Sequence, residues 1–81
     1  MPTPNHPKLP LCSQFAAQPE RGTFAFWLNA LLEDQSRDIR QRDALRLKGM
    51  LAAYQELGVI SEQQGNAMSE ELTPFAFGAS A

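Results

Sequence analysis

Residues 23–33 read TFAFWLNALLE, and this short stretch decides the fold. Its apolar side chains recur with the spacing of one helical face, at i, i+3, i+4, i+7 and i+8: Phe24, Trp27, Leu28, Leu31 and Leu32. Thr23 can cap the free amides of the first turn. Phe26 lies off this face. The helix therefore needs apolar cover on more than one side, from other helices or from a second chain.

A second and longer helical pattern follows over residues 37–57, which contain no proline. Ser36 is a suitable N-cap, and Gly58 suits the left-handed position beyond the C-terminus. The polar residues 33–36 predict a break between the two helices. A single helix over residues 23–57 is the alternative, since no proline or glycine lies in the break. The apolar stripe of this segment comprises Leu47, Met50, Leu51, Tyr54 and Leu57.

The third helix is predicted to begin with a capping box. Ser61 and Gln64 have the spacing at which each side chain bonds the backbone amide of the other. Pro74 is expected to end this helix, because a proline disfavours helical backbone at the residue before it. The pattern predicts an all-α fold of three helices at about 23–34, 37–57 and 61–71.

Both ends of the chain are predicted to be extended. Residues 1–22 carry five of the six prolines, which remove amide donors and favour polyproline-like chain. The predicted organisation is a proline-rich arm over 1–22, a helical domain over 23–72 and an apolar tail over 73–81. A chain of 81 residues forms one domain at most, with a small core.

Composition narrows the function classes. The single cysteine, Cys12, excludes an intrachain disulfide and favours a reducing, cytoplasmic location. We expect no signal peptide, no membrane span, no metal and no cofactor. Cys12 and His6 could form a nucleophilic pair, but no third group orients them. The adjacent carboxylates Glu33–Asp34 and Glu70–Glu71 lie at helix ends and do not face each other, so we expect solvated helix termini and not an acid/base pair. We therefore predict a protein that is not an enzyme.

Basic residues concentrate in one window. Five of the seven lie within residues 37–48, together with two aspartates, and residues 49–81 contain only acidic charges. On a helical wheel, Arg37 and Lys48 lie beyond one edge of the apolar stripe, while Arg42 and Arg46 lie beyond the other. Arg40 and Asp43 fall inside the stripe and can pair with each other, and Asp43 also has the i, i+3 spacing to pair with Arg46. We expect the core to start near Ala44 and the first two turns to project beyond it.

The distribution of the cations on two sides of the apolar stripe favours binding to a protein over binding to nucleic acid. The predicted partner-binding residues are Arg37, Arg40, Arg42, Arg46, Lys48, Phe75 and Phe77. The alternative for the two phenylalanines is that they fold back and cover the apolar face of the helices. The residues predicted for the core or for a homodimer interface are Phe24, Trp27, Leu28, Leu31, Leu47, Leu51 and Tyr54. The interpretation is a protein-binding regulator, adaptor or inhibitor whose arginines face an acidic partner. The alternative is a dimeric nucleic-acid-binding regulator that uses the Arg37–Lys48 segment on phosphates.

Overall fold

The computed structural model describes residues 4–33 and 36–78, and within them the chain is helical without a strand. Four α-helices follow one another: α1 (Pro10–Ala16), α2 (Gly22–Glu33), α3 (Arg37–Glu56) and α4 (Glu62–Phe77). A short 3₁₀ turn at Pro19–Arg21 leads into α2. The predicted all-α class is confirmed. The predicted count of three helices was wrong.

The helix that the sequence analysis missed is α1, which occupies part of the predicted extended arm. Pro10 stands in its first turn, where a missing amide costs nothing and the fixed φ suits a helix. Leu9, Cys12, Phe15 and Ala16 are spaced for one helical face, and all four are buried. The prolines of this segment therefore mark where the helix begins. Pro2, which was also placed in the arm, lies outside the described residues.

The second difference lies at the C-terminal end of α4. The helix was predicted to stop before Pro74, yet it continues through Pro74 to Phe77. Ala76 is buried, and Phe75 and Phe77 pack partly buried against the core. This apolar contact offsets the hydrogen bond that Pro74 cannot donate. The last residues of the predicted tail, 79–81, lie outside the described residues.

Three predicted helix boundaries are found where the sequence placed them. At the start of α4, Ser61 Oγ accepts from the Gln64 amide at 3.0 Å, and Gln64 Oε1 accepts from the Ser61 amide at 2.8 Å. Gly58 adopts a φ of 77°, the left-handed conformation that glycine allows. Ser36 has the extended backbone of an N-cap, with φ −83° and ψ 131°, so α3 begins after it. Asp34 and Gln35 of the predicted break lie outside the described residues.

The helices enclose one core. The long helix α3 packs against α2 and α4, and α1 packs against α2 and α4 from the other side. Contacts from the end of α3 to the start of α4, and from the start of α3 to the end of α4, show that these two helices run antiparallel. The largest fully buried side chains are Leu9, Cys12, Phe24, Leu28, Leu31, Leu47, Leu51 and Leu72.

Candidate protein-binding surface

The five cations of the basic window are distributed over two sides of α3. On one side, Arg37 and Lys48 approach the end of α4. Arg37 Nη2 lies 3.5 Å from the Phe77 carbonyl oxygen, and the Lys48 ammonium contacts the Thr73 hydroxyl. The Lys48 ammonium also lies 5.9 Å from the centroid of the Phe77 ring. A cation near exposed carbonyls at a helix C-terminus is electrostatically favourable. These two side chains support the fold.

Arg40 also belongs to this side. Its guanidinium lies 5.6 Å from the centroid of the Phe75 ring, which in turn contacts the His6 ring at a centroid distance of 5.2 Å. The first turns of α3 were expected to project beyond the core. No residue of α3 before Asp43 is buried, but on the side of Arg37 and Arg40 the extension of α4 beyond Pro74 contacts these turns. Phe75 and Phe77 are held within the fold by these contacts and remain only partly exposed.

On the opposite side of α3, Arg46 meets α2. Its guanidinium lies 4.0 Å from the centroid of the Trp27 ring, close enough for a strong cation–π contact. Arg46 Nη1 also lies 3.8 Å from Asp43 Oδ1, whose side chain is only 6% exposed. The ring and the carboxylate hold the guanidinium from two directions, so Arg46 is oriented while its side chain stays 40% exposed.

Phe26 completes this group. Its ring stands edge-on to Trp27 at a centroid distance of 5.0 Å and an interplanar angle of 88°. Phe26 is 49% exposed, although it is one of the largest apolar side chains of the protein. We call Phe26, Trp27, Asp43 and Arg46 the aromatic–arginine cluster. The apolar patterns of α2 and α3 in the sequence could not reveal this cluster, because Phe26 lies off the apolar face of α2 and Arg46 lies beyond the apolar stripe of α3.

The cluster borders further exposed side chains of α3. Ile39, Arg42 and Arg46 succeed one another at spacings of three and four residues and so share one line along the helix. Ile39 is 40% exposed, and Arg42 is exposed as well. Apolar and cationic side chains therefore alternate along this line. Aromatic residues and arginine are the types that protein interfaces favour.

The other residues singled out from the sequence lie in the interior. Phe24, Leu28, Leu31, Leu47 and Leu51 are fully buried. Tyr54 is partly buried and forms edge contacts with the rings of Phe15 and Phe24. A third arginine, Arg21, lies over this group, 5.1 Å from the centroid of the Tyr54 ring. Arginines thus cover aromatic rings at three separate places on the surface.

Glu71 has a role that sequence reasoning missed. Its two carboxylate oxygens accept hydrogen bonds from the amides of Leu11 and Cys12, at 2.8 and 3.0 Å. These amides are free because they belong to the first turn of α1. The adjacency of Glu70 and Glu71 had suggested only a solvated helix end. Because α1 was not predicted, no feature of the sequence indicated that Glu71 would bind the amides of its first turn.

The Cys12 thiol is buried and donates a hydrogen bond to the Met68 carbonyl oxygen at 3.6 Å. Burial raises the pKa of the Cys12 thiol well above its usual range, and the neighbouring Glu71 carboxylate raises it further. The thiol is therefore protonated at neutral pH. His6 has other partners, since its Nδ1 accepts from the Lys8 amide and its ring contacts Phe75.

A groove of about 340 Å³ lies between α1 and the segment that leads into α4. Its walls are apolar side chains and four glutamines: Leu11, Phe15, Ile60, Met68, Gln14, Gln18, Gln63 and Gln64. Carboxamides can hydrogen-bond a ligand, but they are not acids or bases at neutral pH. Across residues 4–33 and 36–78, no three His, Cys, Asp or Glu side chains lie close enough to bind one metal ion.

The search for similar proteins gave no match to a family model, to a curated protein or to a solved structure. None of the helices in the described part of the chain combines the length and apolar character needed to cross a membrane. Inferences about function therefore depend on the surface itself.

Proposed function

We propose that this protein binds another protein and acts as a regulator, adaptor or inhibitor, without catalysing a reaction. The observation that carries the proposal is the half-exposed Phe26 ring, which lies on Trp27 next to an oriented Arg46. Interface residues that contribute most binding energy are commonly Trp, Tyr and Arg in packed surroundings. A partner that covers Phe26 removes apolar area from water.

The orientation of Arg46 favours an acidic partner. The Trp27 ring and the Asp43 carboxylate limit the rotamers of Arg46 before binding, so less conformational entropy is lost when a carboxylate of the partner is bound. Arg42 lies one turn away on the same line of α3 and adds positive charge at the rim. Charge at a rim mainly steers association and selects partners. Phe26 and Trp27 would supply the affinity.

The alternative of nucleic-acid binding requires cations on one face. Arg37, Arg40 and Lys48 instead contact residues of α4, on the side away from Arg46. Asp43 also lies beside Arg46 and reduces the field that a phosphate would experience there. The distribution of the cations therefore favours a protein partner over a polyanion.

The test is affinity capture from a native lysate, with and without nuclease, followed by titration of the purified partner. We expect capture to survive nuclease, and Phe26→Ala to weaken the measured affinity about tenfold or more, as for a hot-spot residue. Arg46→Gln should weaken it as well. Leu57→Ala is the matched control, because Leu57 is 77% exposed and belongs to another surface.

Two outcomes would contradict the proposal. If nuclease removes every captured partner, the protein binds nucleic acid or a complex assembled on it. If Phe26→Ala and Arg46→Gln both bind the partner as tightly as the wild type, the aromatic–arginine cluster is not the interface. Circular dichroism of each variant must show unchanged helix content, so that a loss of binding cannot result from unfolding.

A further inference from the structure

The side of α3 that faces away from α2 and α4 contains a glycine with no evident role within one chain. Gly49 lies in the middle of the 20-residue helix and is exposed. A Cβ placed on it would meet nothing within 4 Å. Its φ is not in the left-handed region, so the backbone does not require glycine. A glycine at the centre of a helix lowers helix stability relative to alanine. Nothing in one chain compensates for this cost.

The neighbours of Gly49 form one exposed face. Between Arg42 and Glu56, the residues that lie within about 60° of Gly49 on the helical wheel and away from α2 and α4 are Arg42, Leu45, Ala52, Ala53 and Glu56, and all are exposed. Together with Gly49, we call them the outer face of α3. Arg46 borders this face on the side of α2, and Asp38 lies one turn before Arg42 in the same direction. Leu45 is 58% exposed, which is unusual for a leucine on a helix that otherwise buries its leucines. The outer face is thus apolar at its centre and charged at its two ends.

The two charges are placed symmetrically. Arg42 precedes Gly49 by as many residues as Glu56 follows it, so the charges lie about 10 Å from Gly49 in opposite directions along the helix. A two-fold axis through Gly49 that pairs two antiparallel copies of α3 places Arg42 of each copy against Glu56 of the other. A parallel pair would instead place like charges together. Asp38 precedes Gly49 by eleven residues, so in the antiparallel pair it lies beyond the last residue of the other copy's α3. The outer face is therefore complementary to itself in the antiparallel orientation.

The same two-fold axis explains the glycine. Two helices that cross at Gly49 can approach closely, because no side chain separates their backbones there. Leu45 of one copy then lies over Ala52 and Ala53 of the other, where small side chains leave room for it. A C₂ interface uses the same patch on both subunits, and the outer face meets this requirement.

We infer that a second copy of this chain covers the outer face of α3, forming an antiparallel homodimer centred on Gly49. The rings of Phe26 and Trp27 belong to α2, beside this face and not on it, so the dimer does not need them, whereas Arg42 belongs both to this face and to the rim of the proposed partner surface. The contact is one helix wide and small for a stable interface, so we expect association in the micromolar range.

Sedimentation velocity and light scattering over a concentration series test the inference. We expect the wild type to change from the 9.0 kDa monomer to a species of twice that mass as concentration rises. Gly49→Leu should remain monomeric because its side chains would separate the helices. At a concentration where both proteins are monomeric, the same substitution should raise Tm by a few degrees, since leucine favours a helix more than glycine does. A role for Gly49 within one chain would lower Tm instead.

The charge arrangement has its own test. Arg42→Glu and Glu56→Arg should each weaken dimerisation about tenfold or more, and the double variant should restore it. Lys8→Glu is the matched control, since it reverses one exposed charge away from α3. A wild type that is monomeric at every concentration would overturn the inference. So would a Gly49→Leu variant that still dimerises, or a double variant that stays as weak as the single ones.

Discussion

A hydrogen bond from the Cys12 amide to the Glu71 carboxylate joins α1, the first of the four helices, to α4, the last. The Glu71 carboxylate accepts hydrogen bonds from the first-turn amides of α1, at 3.0 Å from Cys12 and 2.8 Å from Leu11. Bonds between a charged group and an amide are stronger than bonds between neutral groups. One side chain of α4 thus fixes both the position and the beginning of α1.

Glu71→Ala should destabilise the protein by about 1.5–3 kcal/mol, the range for hydrogen bonds to a charged group. Urea unfolding monitored by circular dichroism measures this loss. Hydrogen exchange should show the Leu11 and Cys12 amides opening faster than in the wild type. Glu70→Ala is the control because Glu70 is exposed next to Glu71 in sequence. Equal effects of the two substitutions would contradict the assigned role of Glu71.

The buried thiol predicts a loss of stability at alkaline pH. The folded protein holds the pKa of Cys12 above its value in the unfolded chain, which is about 8.5. The resulting stabilisation is complete below about pH 8.5 and is lost as pH rises, by up to about 1.4 kcal/mol per pH unit. Urea unfolding between pH 7 and pH 10 measures this loss.

Cys12→Ala provides the comparison for the thiol. We expect it to be less stable than the wild type at pH 7, because a buried side chain has been shortened. The difference in free energy of unfolding between the wild type and Cys12→Ala should become smaller as pH rises. The other ionisable groups titrate in both proteins, so their contributions to this difference cancel. A constant difference across this range would show that the thiol is not held protonated by the fold.

Gly65 and Gln55 predict a coupled pair of substitutions. Gly65 is buried near the start of α4, and a Cβ placed on it would lie 2.6 Å from Gln55 Cδ. In a Gln55→Ala background, Gly65→Ala should stabilise the protein by about 0.5–1 kcal/mol, the helix preference of alanine over glycine. In the wild type the gain should be smaller, because the Gln55 side chain has to move. A double-mutant cycle from urea unfolding would show no coupling if the two side chains were independent.

Pro74→Ala should stabilise α4. Pro74 is exposed inside the helix and cannot donate an amide hydrogen bond to the Glu70 carbonyl. Alanine restores this bond, so the free energy of unfolding should rise by up to about 3 kcal/mol, reduced by the greater freedom of the unfolded chain. Thermal unfolding measures the change. A lower Tm for Pro74→Ala would mean that the distortion at Pro74 is needed to seat Phe75 and Phe77.

The features that could be predicted from the sequence are those that depend only on neighbouring residues along a helix. The capping box of Ser61 and Gln64, the left-handed Gly58 and the start of α3 after Ser36 are local features, and each was found where expected. α3 itself was predicted to within one residue, as Arg37–Glu56. Such features require no knowledge of the rest of the fold.

Features that depend on distant contacts could not be predicted. α1 is only seven residues long, too short to be stable alone, and it exists because α2 and α4 bury it. The three residues of α4 beyond Pro74 are helical because Phe75 and Phe77 reach the core and the cations of α3. At Pro74 tertiary packing outweighs the local cost of a proline inside a helix, whereas Pro10 suits the first turn of α1 and only the packing against α2 and α4 could not be predicted.

The aromatic–arginine cluster illustrates the same limit. The helical wheel correctly separated Arg37 and Lys48 from Arg46, yet it could not show which helix each side would meet. The Arg46 guanidinium lies on Trp27, a residue nineteen positions earlier in the chain. Spacing allowed Asp43 to pair with Arg40 or with Arg46, and the ion pair found in the structure is the one with Arg46.

The dependence of α1 on α4 has a consequence for synthesis on the ribosome. α1 is translated before α4, and the carboxylate that fixes its first turn comes from a residue about sixty positions later. Until that residue has left the exit tunnel, α1 lacks one of the two helices that bury it. Of the four helices, α1 is thus made before the others but completes its surroundings only after α4 is made, and a nascent chain halted after α3 would expose Leu9, Cys12 and Phe15 to chaperones.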